Sequence, residues 1–264
     1  MLNKKTIFII LSVSVALLFY VAWTVVGFTQ TATADVSFKG RTDKETYILG
    51  EPISVELEFN NTGENPVKVI SGGVDVGSLK ILIAGKDGEY KRYKSEEWGR
   101  KRGQKITLEP SKSLKYKQAT ILWNTLPKSW DLQGIITTEY AFPEPGVYFI
   151  KGVSSIKWSS SPDESFTPIE SKPIKVIIEA PTGDDLEVWN KIKGNKQIAV
   201  LMQRGEITVE KETERQKFAA QAEQISEQFP NSVYSSYLKS KLEKYKVDEI
   251  RRNETYKNIT RKPE

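Results

Sequence analysis

Three textures of apolar and polar positions follow one another along the chain. Ile7 to Phe28, "IFIILSVSVALLFYVAWTVVGF", is one uncharged run of 22 residues, long enough to cross a bilayer as a helix. Pro52 to Phe59, "PISVELEF", alternates instead: Ile53, Val55, Leu57 and Phe59 stand against Ser54, Glu56 and Glu58, the period of a strand with one buried face. Beyond Pro181 the apolar positions fall three and four apart, as on one face of a helix. The expected domains follow these changes: 1–34 as a signal peptide or signal anchor, 35–180 as a β-sandwich, 181–250 as a helical hairpin region, and 251–264 as a basic flexible tail.

Turn signals divide the strand region. "NNTGENP" follows the first clear strand, and "SLKILIAGKDGEYKRY" predicts a hairpin whose Asp87-Gly88 centre suits a two-residue turn. Gly63, Gly103 and Gly146 mark further reversals, and "SLKYKQATILW" and "SKPIKVIIEA" bring the total to seven or eight short strands at sandwich-like spacing. In "AFPEPGVYFIKGV" a proline-glycine turn feeds a strand that opens on an aromatic. This resembles the E–F corner of immunoglobulin-like domains and implies structural roles for Pro145, Gly146 and Tyr148, with the Tyr148 ring buried and its hydroxyl capping a nearby backbone group.

In the helical region Thr182 or Asp184 can cap a first helix carrying Leu186, Trp189 and Ile192 on one face, until Gly194-Asn195 interrupts it. Ile198, Leu201 and Met202 continue the stripe to a C-cap at Gly205; Phe218, Ala222, Ile225 and Phe229 form the next face. Pro230 stops that helix, and Asn231 or Ser232 starts another bearing Tyr234, Leu238, Leu242 and Tyr245. These helices leave Trp189, Ile198 and Leu201 needing cover, which predicts docking on the sandwich.

Lys4 and Lys5 before the long apolar run, and Ala32-Thr33-Ala34 after it, are the marks of an export segment. Cleavage after Ala34 and retention as an anchor both remain open, and either leaves the chain beyond Asp35 extracytoplasmic: periplasmic, secreted or membrane-anchored facing outward. The chain has no cysteine and no histidine, which excludes disulfides, thiolate chemistry, histidine bases and histidine or cysteine metal sites. Thirty-nine basic side chains interleave with 34 acidic ones for a net charge of +5, a mild bias toward anionic surfaces. The pairs Asp184-Asp185, Glu96-Glu97 and Asp163-Glu164 match no calcium loop and read as caps or solvated surface. No catalytic residue, cofactor or metal is expected.

Candidate partner-binding residues are the basic loop "GRKRGQK" with Arg100, Lys101 and Arg102, the adjacent Trp98, and Trp123 and Trp130 of "LWNTLPKSWDL". The loop suits an anionic polymer or an acidic protein surface, with an ordinary solvated loop as the alternative; exposed indoles suit a glycan or a protein anchor, whereas sandwich cores also use tryptophan, which predicts burial of at least one of Trp123 and Trp130. An exported location argues against nucleic acid.

The phrases "KETYILGEPISVELEFNNTGENPVKV", "ITLEPSKSLKYKQ" and "PEPGVYFIKG" together resemble the immunoglobulin-like domains of prokaryotic envelope proteins, including those similar to the bacterial intracellular proteinase inhibitor family. "FPNSVYSSYLKSKL" resembles the helix junction of tetratricopeptide-like repeats. The resemblances imply a mainly β protein: an immunoglobulin-like sandwich with an N-terminal membrane-spanning or signal helix and a small C-terminal α-helical region. With no histidine, cysteine or convergent acidic set, the expected function is a non-enzymatic binding or structural module of the envelope acting through protein contacts. Alternatives are a carbohydrate-binding accessory module, or a proteinase inhibitor using a loop such as "SSSPDESFTP".

Overall fold

The computed structural model describes residues 36–72, 79–93, 103–116, 118–124, 136, 140–158 and 166–260, without the side chains of 253 and 255–260. The N-terminal apolar run lies outside these residues, as does 159–165, most of the proposed inhibitory loop. Among the described residues no helix is long and apolar enough to cross a membrane.

Strand alternation builds a mainly β body of two packed sheets. In the first, β1 (Val36–Thr42) pairs antiparallel with β3 (Ile53–Asn61), Phe38 opposite Phe59. The other edge of β3 takes β8 (Ser113–Lys115) and then β9 (Ala119–Ile121). Ile53, Val55, Leu57 and Phe59 all point into the core, none more than 3% exposed. Each such side chain contributes about 1.5–3 kcal/mol.

The second sheet is organised by β10 (Gly146–Trp158), a 13-residue strand that changes partners along its length. It meets β12 (Ile174–Glu179) at its start, β5 (Lys80–Ala84) in the middle, and β11 (Thr167–Glu170) and β4 (Val67–Ile70) at its end. Gly152 lets the sheets approach: a Cβ there would stand 2.7 Å from Leu57 Cδ1 of the facing sheet. β2 (Thr46–Ile48) adds parallel to β12, β6 (Tyr90–Tyr93) pairs with β5, and β7 (Lys105–Leu108) pairs with β4.

The expected seven or eight strands become twelve among the described residues. The additional ones include three-residue strands, too short to show a period. The Asp87-Gly88 hairpin forms, but its turn is longer than expected: Ala84 faces Tyr90, leaving a five-residue loop closed by the Gly88 N–H on the Gly85 carbonyl. Asn61 anchors the following loop, its side-chain amide donating to the Asn65 and Leu108 carbonyls at 2.9 Å.

Four helices follow: α1 (Gly183–Ile192), α2 (Lys196–Arg204), α3 (Glu212–Gln228) and α4 (Val233–Thr260). Asn195 caps α2 by accepting from the Gln197 and Ile198 N–H groups, and Gly205 closes it in the left-handed region. Two expectations are corrected in α1. Thr182 sits at the N-cap without a side-chain bond, and Leu186 is 42% exposed while Val188 is fully buried. The helix is turned because Asp185 faces inward, where its Oδ1 accepts from Ser232 Oγ and Val233 N–H, both at 2.8 Å. α4 begins directly after Ser232, as expected, and its first N–H group is capped from α1 by Asp185. The flexible tail expected from 251 is helical through Thr260; near its start Glu249 pairs with Arg252 at 2.6 Å and with Arg215 of α3 at 3.6 Å.

Candidate functional site at the seam between sandwich and helices

The helices share a core with one end of the sandwich. Leu122 and Trp123, just past β9, join Val188, Ile192, Ile198, Leu201, Ala222, Ile225, Tyr234, Leu238 and Leu242 in one buried cluster. Ring contacts cross the boundary, from Trp123 to Tyr140 at 4.8 Å, Tyr140 to Trp189 at 5.1 Å and Trp189 to Tyr234 at 6.3 Å.

Trp123, a candidate anchor or glycan platform with burial in the core as the alternative, is buried: it is 4% exposed and forms part of the joint, which removes it as a partner-binding residue. Its ring packs edge-on against Tyr140, and it shares one buried cluster with the apolar residues of the helices. Trp98, Arg100, Lys101, Arg102 and Trp130 lie outside the described residues. Tyr148 is buried against Phe142 and donates to the Glu144 carbonyl at 2.9 Å; Pro145 and Gly146 lead directly into its strand.

Two polar clusters lock the joint. Gln203 of α2, 4% exposed, donates to the Tyr93 hydroxyl at 2.9 Å and the Thr120 carbonyl at 3.1 Å, and accepts from Trp123 N–H at 3.1 Å. Tyr93 in turn donates to the Trp123 carbonyl at 2.9 Å, and burial pushes its phenol up to about 12. The second cluster centres on the turn at Gly50-Glu51. Gly50 has φ +83°, and a Cβ there would stand 2.1 Å from Trp189 Cζ3, so only glycine admits the indole against the backbone. The Glu51 carboxylate is 1% exposed, pairs with Lys44 at 2.6 Å, and accepts from Ile48 N–H at 3.0 Å and Tyr237 O–H at 2.9 Å. A buried charge supplied with this many partners is tolerated; one deprived of them is costly. Tyr234 donates to the Leu49 carbonyl, and burial raises both tyrosine phenols of this cluster on α4 above their ordinary value.

Beside this joint two grooves open on the outer face of the first sheet. One, of about 500 Å³, is lined by Lys39 and Arg41 of β1, Glu56 and Glu58 of β3, Lys115 of β8, and Gln118. Strand register sets its charge pattern: Lys39 and Lys115 lie on either side of Glu58, and Arg41 lies opposite Glu56. Arg41 meets Glu56 at 2.7 Å, but both are well exposed, so the pair contributes little to stability. The other groove, about 240 Å³, lies in the seam itself between Asp43, Pro52, Ser54, Gln118 and Thr120 of the sandwich and Met202, Tyr237 and Lys241 of the helices. Gln118, which donates to Ser54, lines both. Among the described residues no three acidic side chains converge as a metal site would require.

Sequence reasoning missed Gly50, Glu51, Gln203, Tyr237 and Lys241. The faint signals were a glycine-acid turn in "YILGEP" and a polar residue within the apolar stripe of α2.

The chain matches no family model and no curated protein. Solved structures similar to part of it include the PapD-like domain 7 of human CEP192, at 14% identity over 59% of this chain and 93% of that one, with a TM-score of 0.29. A CARDB domain of PF1109 from Pyrococcus furiosus matches at 11% identity over 56% and 96%, TM-score 0.27. Spo0M, a sporulation control protein from Bacillus subtilis, matches at 10% over 61% and 55%, TM-score 0.29. Scores this low carry no argument for a function.

Proposed function

We propose that this chain is an outward-facing, non-enzymatic binding module of a cell envelope, in which an immunoglobulin-like sandwich and a tetratricopeptide-like helical hairpin act as one body on a protein partner. The observation that carries the reading is the pair of adjoining grooves, lined by opposite charges on the first sheet and ending in the seam with α4. Mixed charges on a rigid face favour specificity and orientation toward a complementary protein surface. The terminal apolar run with its paired lysines supports an export segment, either cleaved at Ala34 or kept as an anchor. The glycan alternative loses Trp123 to burial, and with it one of the indoles it relied on.

The test places a photo-crosslinking residue at Glu58, within the groove, and at Glu64, in the loop beyond β3, in cells expressing the full chain. A discrete adduct with an envelope protein from Glu58 but not Glu64, on a chain accessible to protease added outside the cytoplasmic membrane, is the expected result. A chain confined to the cytoplasm, or equal labelling from both positions, contradicts it.

A further inference from the structure

We infer that the seam groove is a recognition site for a single carboxylate, held by Lys241, so that the partner presents either an acidic side chain or a free chain terminus. The inference rests on the binding-module reading and specifies the chemistry that this part of the surface takes.

Lys241 is half-buried where α4 passes the sandwich. Four other charged groups at the joint have partners: Glu51 has Lys44 and Tyr237, Asp185 has Ser232 and Val233, Asp43 has the Tyr47 hydroxyl, and Lys244 has the Arg204 carbonyl. One Arg204 guanidinium nitrogen is buried without a partner among the described residues, but Arg204 does not line the groove. Among the described residues nothing comparable pairs with the Lys241 ammonium. Burial first, and Lys244 one turn away second, lower its pKa below the ordinary lysine value. A half-buried cation that pays for desolvation without a counter-charge is a group that gains most from an incoming anion.

The rest of the lining selects the kind of anion. Ser54, Gln118 and Thr120 offer neutral hydroxyl and amide groups around the groove, while Met202 and Pro52 are its buried apolar members. Asp43 lines the same space, so a second negative charge would meet repulsion. One ammonium, neutral donors and a nearby carboxylate suit a monoanion and disfavour phosphate or sulfate. The volume of about 240 Å³ suits one side chain or one chain end.

The test uses the full chain in detergent micelles with ¹³C-labelled lysines, the Lys241 signal being assigned by its loss in Lys241→Gln. Four probes are titrated: acetyl-Gly-Glu-Gly-amide, acetyl-Gly-Gly-Gly with a free terminal carboxylate, the neutral acetyl-Gly-Gln-Gly-amide, and inorganic phosphate. At least one carboxylate peptide should shift the Lys241 signal saturably, and the one that binds identifies the source. Lys241→Gln should weaken that binding at least tenfold by calorimetry, whereas Lys241→Arg should keep most of it. Equal response to the neutral peptide, stronger response to phosphate, or binding unchanged within twofold in Lys241→Gln overturns the inference. Adduct formation at Glu58 without carboxylate binding would leave the binding module standing and remove only the carboxylate. Peptide binding without an adduct would do the reverse.

Discussion

The protein holds itself together by two cores made differently. Inside the sandwich, Ile53, Val55, Leu57, Phe59, Ile81, Ile150 and Val176 pack as an apolar layer in which each strand contributes alternate residues. At the seam the apolar cluster is threaded by Gln203, Tyr93, Glu51 and Tyr237, whose bonds between sandwich and helices join residues 80 to 186 positions apart. The first core is non-directional and tolerates adjustment; the second fixes one orientation, because a misplaced helix would strand a buried amide and a buried carboxylate. The seam is therefore where a binding surface can be set rigidly between two otherwise ordinary halves.

The comparison breaks most forcefully from the sandwich side. Phe59→Ala removes a fully buried ring and should cost about 3–5 kcal/mol, lowering the unfolding midpoint of sandwich and helices alike. A loss confined to the sandwich signal, seen by comparing near-ultraviolet with helical circular dichroism, would mean that the two cores are independent.

Alkaline titration sharpens the contrast next. Tyr93 has a folded value raised to about 12 by burial, above the unfolded value near 10. Its contribution is therefore fully present below about pH 10 and is lost as the pH rises toward 12. For this 1% exposed phenol the loss should amount to about 2–3 kcal/mol once the pH has passed 12, of which about 1.3 kcal/mol falls between pH 9 and pH 11. The measurement is urea unfolding at pH 9 and pH 11, compared between the native chain and Tyr93→Phe. An equal fall in both chains would show that the phenol does not carry the effect.

The smallest effect belongs to Tyr148. Its acceptor, the Glu144 carbonyl, lies on an exposed residue and can turn to water once the hydroxyl is gone. Tyr148→Phe should thus cost about 0.5–1.5 kcal/mol, below what a wholly buried bond would. A stability loss of several kcal/mol in a thermal or urea melt would show that water does not replace the lost hydroxyl at the Glu144 carbonyl.

These contrasts mirror what could be read in advance. β3 was legible because alternation over nine residues leaves little choice of face, and the proline-glycine entry to β10 located Tyr148 for the same local reason. Gly205 was legible as a cap because the apolar stripe ends there. The seam was not, since its determinants are partners distant in sequence. Asp185 looked like a first-turn acid but caps α4, which turned Leu186 outward. For Trp123 the local sequence left anchor and core both open, because the buried cluster it joins is completed by helices about 65 or more residues further on. Lys241 carries no local mark at all; it matters through where α4 passes the sandwich.

The central claim, that sandwich and helices are one cooperative body locked by buried polar bonds, meets its most direct test in Gln203→Ala. The substitution strands the Trp123 N–H and leaves the Thr120 carbonyl without its donor, which should cost about 2 kcal/mol. Urea unfolding of a soluble fragment beginning at Asp35, followed by tryptophan fluorescence and by helical circular dichroism, should give coincident transitions in the native chain that move together to lower urea in the variant. Two separated transitions, with the sandwich midpoint indifferent to Gln203, would contradict the account.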